Sequence, residues 1–226
     1  MKFKSIKANL SSNQILKRSQ PLLNKKVRAA TSNRLDISVN YLIGAQERTN
    51  DIANPFGRLF NFTKSYWAAY GINIDRNGST SYRCTERGTY CLESLSCPGN
   101  ARMAQLTDLI FNGGFADGHR VVTVIVAGKD VSFPSPTLGC TQTFGNKNKF
   151  GVIIYLSRDA IIGSDPYILA HEIGHALYVT GLNSNNKAGL IDNSIPGNLM
   201  NKIVPIKNPT LTEGQINAAR KSIMLY

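Results

Sequence analysis

Nowhere in this chain is there an apolar run long enough to cross a bilayer as a helix. The most apolar stretches, 121–127 and 152–156, are only a few residues long, against the roughly 20 that a helical span requires. Closely spaced cysteine pairs are also missing. Cys84, Cys91, Cys97 and Cys140 are separated by six, five and forty-two residues, which is not the C-x₂₋₄-C spacing of a structural zinc site. Three of the four fall in a stretch rich in Gly, Thr, Ser and Arg, so two disulfides formed in an oxidising compartment are expected; four reduced cysteines in a cytosolic protein are the alternative, and spacing does not choose among the possible pairings.

Acidic residues are absent from the first 35 positions. That stretch holds Lys2, Lys4, Lys7, Lys17, Arg18, Lys25, Lys26, Arg28 and Arg34, leaving only +3 of the formal net charge of +12 for the rest of the chain. A basic opening with scattered single apolar residues cannot bury enough surface to offset its ordering entropy, so residues 1–34 are expected to be a flexible arm or pro-segment. It also lacks the continuous apolar core of a Sec signal peptide. Because the positive charge is confined to this arm, the chain as a whole does not carry the footprint of a specific nucleic-acid binder.

Residues 35–226 are expected to form one domain. Alternation of apolar and polar residues predicts a strand at 35–43. Ile52, Phe56, Leu59, Phe60, Phe62, Tyr66 and Trp67 recur at helical spacing within 45–70, where Pro55 is expected to start or kink the helix. A short strand at 72–75 precedes the cysteine-bearing excursion, which runs to about residue 99. A helix over 101–111, closed by Gly113 and Gly114, is followed by a β-branched strand at 120–127, a poorer edge-like strand at 137–144, and a strongly apolar strand at 149–157. The mixture predicts an α/β or α+β fold with a small sheet.

Histidine is scarce, with three in the chain, yet two of them stand four residues apart in His171-Glu172-Ile173-Gly174-His175. Asp165-Pro166 frames the start of a helix as N-cap and first residue, and Gly181 its end. Leu169, Ile173, Ala176 and Leu177 supply its apolar face. On such a helix His171 and His175 project from one face, one turn apart, where both imidazoles can bind one metal ion, and Glu172 lies beside them where it can act on water without being a ligand. Chance alone produces this pattern in roughly one chain of this composition in a thousand. The third histidine, His119, reads as a loop residue.

A catalytic zinc takes three protein ligands and keeps one position open. The stretch Gly-Leu-Ile-Asp-Asn-Ser-Ile-Pro-Gly-Asn-Leu-Met at 189–200, followed by Leu-Thr-Glu-Gly-Gln-Ile-Asn-Ala-Ala-Arg at 211–220, resembles the ending of metzincin metalloproteases. The resemblance covers approximately 35–226. It implies a small twisted mixed sheet packed with an N-terminal helix and an active-site helix, with a further helix at the C-terminus. It also implies Zn²⁺ as cofactor, a third ligand downstream of the helix, and Met200 in a turn beneath the metal. The chain departs from the clan's spacing, which requires Gly at 178 and a ligand at 181; here those positions are Tyr178 and Gly181. Alignment backward from Met200 makes Asp192 the third ligand after an insertion of eleven residues, with Asn183 and His119 as the alternatives.

The function so implied is a zinc-dependent endopeptidase acting on a protein or peptide substrate, with Glu172 as general base, secreted or delivered outside the producing cell. Two other readings stand beside it: a zinc-binding protein without proteolysis, and a basic-arm binding protein whose zinc is structural. Thr212 and Gln215 form a capping-box pattern ahead of Ile216, Ala219 and Ile223, predicting a C-terminal amphipathic helix with a structural role. Oligomeric state is not legible.

Overall fold

A strand buried on both faces needs a helix layer on at least one side to remove its apolar surface from water, and that pairing organises this domain. The computed structural model describes residues 33–43, 49–83, 121–126, 138–145, 150–163, 165–177, 192–205 and 207–226. In chain order these hold β1 (Arg34–Ile43), α1 (Thr49–Ala68), β2 (Asn73–Arg83), β3 (Val121–Val126), β4 (Gly139–Gly145), β5 (Phe150–Leu156), α2 (Arg158–Ile162), α3 (Ile168–Leu177) and α4 (Glu213–Arg220). The expected cysteine excursion at Cys84, Cys91 and Cys97, the helix at 101–111, and residues 1–32 of the arm lie outside the described residues. Cys140 is described, buried on β4.

The strands form a five-stranded mixed sheet in the order β2-β1-β3-β5-β4. All neighbours are parallel except β4, which runs antiparallel to β5 at one edge. The fold is the small mixed sheet with packed helices that the sequence predicts. Along β1, β3 and β5 the residues on one face are Leu35, Ile37, Val39, Tyr41, Val122, Val124, Val126, Val152, Ile154 and Leu156. They join Phe56, Leu59, Phe60 and Trp67 of α1 and Leu169, Ile173, Ala176 and Leu177 of α3 in one core. The alternate positions, including Ile125, Ile153 and Tyr155, are buried on the opposite face, which explains why β3 and β5 read as continuous apolar runs rather than as alternating strands.

Of the two outcomes the sequence allows at Pro55, the first helix runs through it rather than starting there; proline has no N–H, so one backbone bond is given up, and the burial of Phe56, Leu59, Phe60 and Trp67 outweighs it. Two elements differ from the sequence reading. β2 extends well past the expected end at 75, because parallel pairing with β1 continues to Arg83 and carries a polar edge strand that composition alone would leave as loop. The short α2 carries no periodic signal in the sequence; Ser157 caps it, its hydroxyl accepting from Ala160 N at 3.0 Å.

Trp67 is the joint between the helices. Its ring is fully buried, and Nε1 donates to the Ala170 carbonyl on α3 at 3.2 Å. Replacing Trp67 by Ala is expected to lower the unfolding free energy by about 3–5 kcal/mol, measured by denaturant titration followed by circular dichroism, since the chain's one tryptophan is then gone.

Candidate metal centre

The helix that carries His171 and His175 starts a little later than the Asp165-Pro166 frame suggests. Tyr167 N donates to Asp165 Oδ1 at 2.9 Å and His171 N to the Tyr167 carbonyl at 2.8 Å. Asp165 therefore caps a turn through Pro166, and the helix proper begins at Ile168. Its end at Gly181 lies outside the described residues, as do Tyr178 and the alternative ligands Asn183 and His119. Of the candidates for third ligand only Asp192 is described, and it lies against the two histidines.

His171 Nε2 and His175 Nε2 are 3.0 Å apart. Asp192 Oδ1 is 3.4 Å from the first and 3.3 Å from the second. The three atoms form one compact triangle, the only grouping of metal-ligating side chains of this kind among the described residues. A tetrahedral ion with donors at 2.0–2.1 Å spaces them about 3.3 Å apart, so the triangle has the edge lengths of one face of a zinc coordination tetrahedron. Asp192 Oδ1 is buried and has no hydrogen-bond donor correctly aimed at it among the described residues. A buried carboxylate oxygen facing two imidazole nitrogens without a donor is what a cation site leaves when only its protein atoms are drawn. The donor set, two imidazoles and a carboxylate, fits zinc and other borderline divalent ions.

His171 is oriented from behind. It is 5% exposed, and its Nδ1 lies 2.7 Å from the Leu199 carbonyl. A carbonyl only accepts, so Nδ1 carries the proton and Nε2 presents its lone pair to the triangle. Burial pushes the His171 imidazole down, but Asp192, the charge of Glu172 and the Leu199 carbonyl together hold it above its ordinary value. The facing imidazoles, His171 first and then His175, hold the Asp192 carboxyl well below the usual carboxylate range.

Leu199 belongs to a turn whose geometry is over-determined. Ile195-Pro196-Gly197-Asn198 closes with Asn198 N donating to the Ile195 carbonyl at 3.1 Å, Gly197 taking φ +76° as a type II turn requires. Asn198 to Asn201 turns again, Asn201 N donating to the Asn198 carbonyl at 3.1 Å. Asn193 N donates to the Met200 carbonyl at 2.8 Å, which ties the residue beside Asp192 to the same turn. Met200 is fully buried, and its sulfur lies against the Cα of Gly174, where any Cβ would collide with it. Gly174, the fourth residue of the His-Glu-Ile-Gly-His motif, is thus the place where the turn seats on the helix. Met200, the residue for which the resemblance implies a turn beneath the metal, lies in a turn packed on the histidine-bearing helix at Gly174.

Glu172 is also buried, at 4% exposure. It lies about 100° around the helix from His171. Thr141 on the edge strand β4 donates its hydroxyl to Glu172 Oε2 at 2.6 Å. A Cβ on Gly139 would stand 2.7 Å from Glu172 Oε1, so the glycine leaves the space in which the carboxylate sits. Neither Thr141 nor Gly139 was singled out in the sequence; a Gly and a Thr alternating on an edge strand carry no signal until the helix is docked on it.

No family model matches the chain, and no curated protein matches it in sequence. Among solved structures it is similar to metalloproteinase-II from Bacteroides fragilis, with 16% identity and a TM-score of 0.49, over 84% of this chain and 53% of that one. The chain therefore spans about half the length of that metalloproteinase.

If the triangle binds the ion, Asp192→Ala will weaken zinc binding by more than the roughly 10- to 100-fold that loss of an outer-sphere partner costs, and His171→Ala will abolish stoichiometric uptake. Both are read by chelator competition. Metal binding needs neutral imidazole. A raised His171 value means that protons compete up to a higher pH than for a free histidine, so zinc affinity is expected to fall on going from pH 8 to pH 6; a flat profile would contradict the ligand role of His171.

Proposed function

We propose that the chain is a zinc-dependent endopeptidase. The observation that carries this reading is the triangle of His171 Nε2, His175 Nε2 and Asp192 Oδ1, with the buried carboxylate of Glu172, the residue after His171 on the same helix, bonded to Thr141. Three protein ligands with a partly exposed side fit a catalytic site better than a structural one, which is usually closed by four.

A zinc ion held there supplies Lewis-acid activation of water and of a peptide carbonyl. The chain's own residues do the rest. Glu172 accepts the proton of the attacking water and returns it to the leaving amine. Thr141 fixes which oxygen of Glu172 is free to do so, by occupying Oε2. His171 is kept in the tautomer that binds through Nε2 by its bond to Leu199. The substrate class is protein or peptide. We extend the reading to a protein acting outside the cell that makes it, on the support of its even set of cysteines.

Glu172→Gln separates this reading from a zinc-binding protein without proteolysis. The variant is expected to keep its zinc and lose cleavage of an unfolded protein substrate by about 10²- to 10⁴-fold. Wild type that binds zinc fully and cleaves no unfolded substrate would leave the non-proteolytic reading. Thr141→Val is expected to lower kcat while leaving zinc content unchanged, and Thr141→Ser to restore it.

A further inference from the structure

The sequence assigns the C-terminal helix α4 a packing role only, yet one of its side chains reaches into the turn that builds the metal centre. Gln215, at 9% exposure, and Asn198, at 3%, face each other as a buried amide pair. Asn198 Nδ2 donates to Gln215 Oε1 at 2.8 Å, and Gln215 Nε2 returns a bond to Asn198 Oδ1 at 3.2 Å. The Gln215 side chain is itself held by a backbone donor, since Oε1 also accepts from Thr212 N at 2.8 Å; the Thr212 hydroxyl takes only the Gln215 backbone N–H, at 3.2 Å, and so caps the helix without touching the amide pair.

Asn198 passes this constraint on. Besides Gln215, its Oδ1 accepts from Met200 N at 2.9 Å and from Asn193 Nδ2 at 2.9 Å. The first bond sets the turn that aims the Leu199 carbonyl at His171 and seats Met200 on Gly174. The second fixes the residue next to Asp192. An Asn side chain has three staggered χ1 wells and a broad, roughly two-fold amide torsion; only one orientation offers Oδ1 to all three donors while giving Nδ2 an acceptor. Gln215 selects that orientation, because among the described residues it is the one that supplies a partner to both ends of the amide.

We infer that Gln215 is a positioning residue for the metal centre, acting through Asn198 to place His171 and Asp192. The inference rests on reading His171, His175 and Asp192 as metal ligands. It makes the C-terminal helix part of the site, although none of its side chains belongs to the ligand triangle.

The test is zinc affinity of the full chain by competition with a chromophoric chelator, together with the visible spectrum of the Co²⁺-substituted protein, for wild type, Gln215→Ala, Gln215→Glu and Thr212→Ala. Thr212→Ala weakens the helix cap but leaves the amide pair, so it controls for stability alone. Gln215→Ala is expected to bind zinc about tenfold more weakly and to shift the Co²⁺ bands, with Thr212→Ala matching wild type in both. Gln215→Glu keeps the acceptor toward Thr212 N and Asn198 Nδ2 but loses the donor to Asn198 Oδ1, and is expected to fall between. Equal zinc affinities and spectra in all four proteins would overturn the inference, as would losses in Gln215→Ala and Thr212→Ala that simply follow their losses of stability. Should Gln215→Ala fail to fold, folded Gln215→Glu with wild-type affinity and spectrum overturns it, and weakened affinity supports it. Wild type that binds no zinc overturns the metal reading itself, an outcome distinct from zinc-binding wild type with indifferent Gln215 variants.

Discussion

Two imidazole lone pairs and a carboxylate oxygen repel one another when they are brought within 3.0–3.4 Å and partly removed from water. Against the downward pull of burial on His171, the same proximity holds its imidazole above, and the Asp192 carboxyl below, their ordinary values. The donors would otherwise separate, and the fold must prevent it. The helix does so for the two histidines, because four-residue spacing puts them on one face. Nothing local does so for Asp192. The centre therefore depends on the turn at 198–201, which grips Asn193 on one side and His171 on the other.

The turn can grip because two glycines let neighbouring elements come close. At Gly174 the absent Cβ admits Met200 to the helix backbone, so the turn and the histidines share one rigid seat, backed by Trp67. At Gly139 the absent Cβ admits the carboxylate of Glu172 to the edge strand, where Thr141 holds it. A buried, charged Glu172 would be costly if unpaired. Its burial is tolerated because a hydroxyl donor is supplied by β4, a strand whose antiparallel pairing with β5 puts it at the sheet edge beside α3.

What was legible in the sequence follows from the range of the interactions concerned. His171, Glu172 and His175 could be read because helical period alone brings them together, and the capping box at Thr212 and Gln215 because both its bonds are local. β1 could be read from alternation, and β3 and β5 from continuous apolar runs. The length of β2, the choice at Pro55 between starting and continuing α1, and the existence of α2 could not, since parallel pairing and core burial decide them against local propensity. Thr141, Gly139 and the second role of Gln215 were illegible for the same reason: each acts only across a tertiary contact.

Asp192 stands between these cases. Measured forward from His175, its distance fits no ligand spacing set by a helix end, and that ruler points to Gly181 instead. Measured backward from Met200, its place against the two histidines has a physical reason. Asp192 is placed by Asn193, whose N–H is bonded to Met200 and whose side chain is bonded to Asn198, so its position is set from downstream. For residues added upstream of Asp192, closure entropy grows slowly, by about 0.6 kcal/mol for each doubling of loop length. Added residues upstream of Asp192 cost little, whereas a residue inserted between Asp192 and Met200 would break the Asn193 bonds and turn the carboxylate away. The span from 192 to 200 is the constrained one, and it is these bonds, rather than the length of the helix, that fix where Asp192 stands.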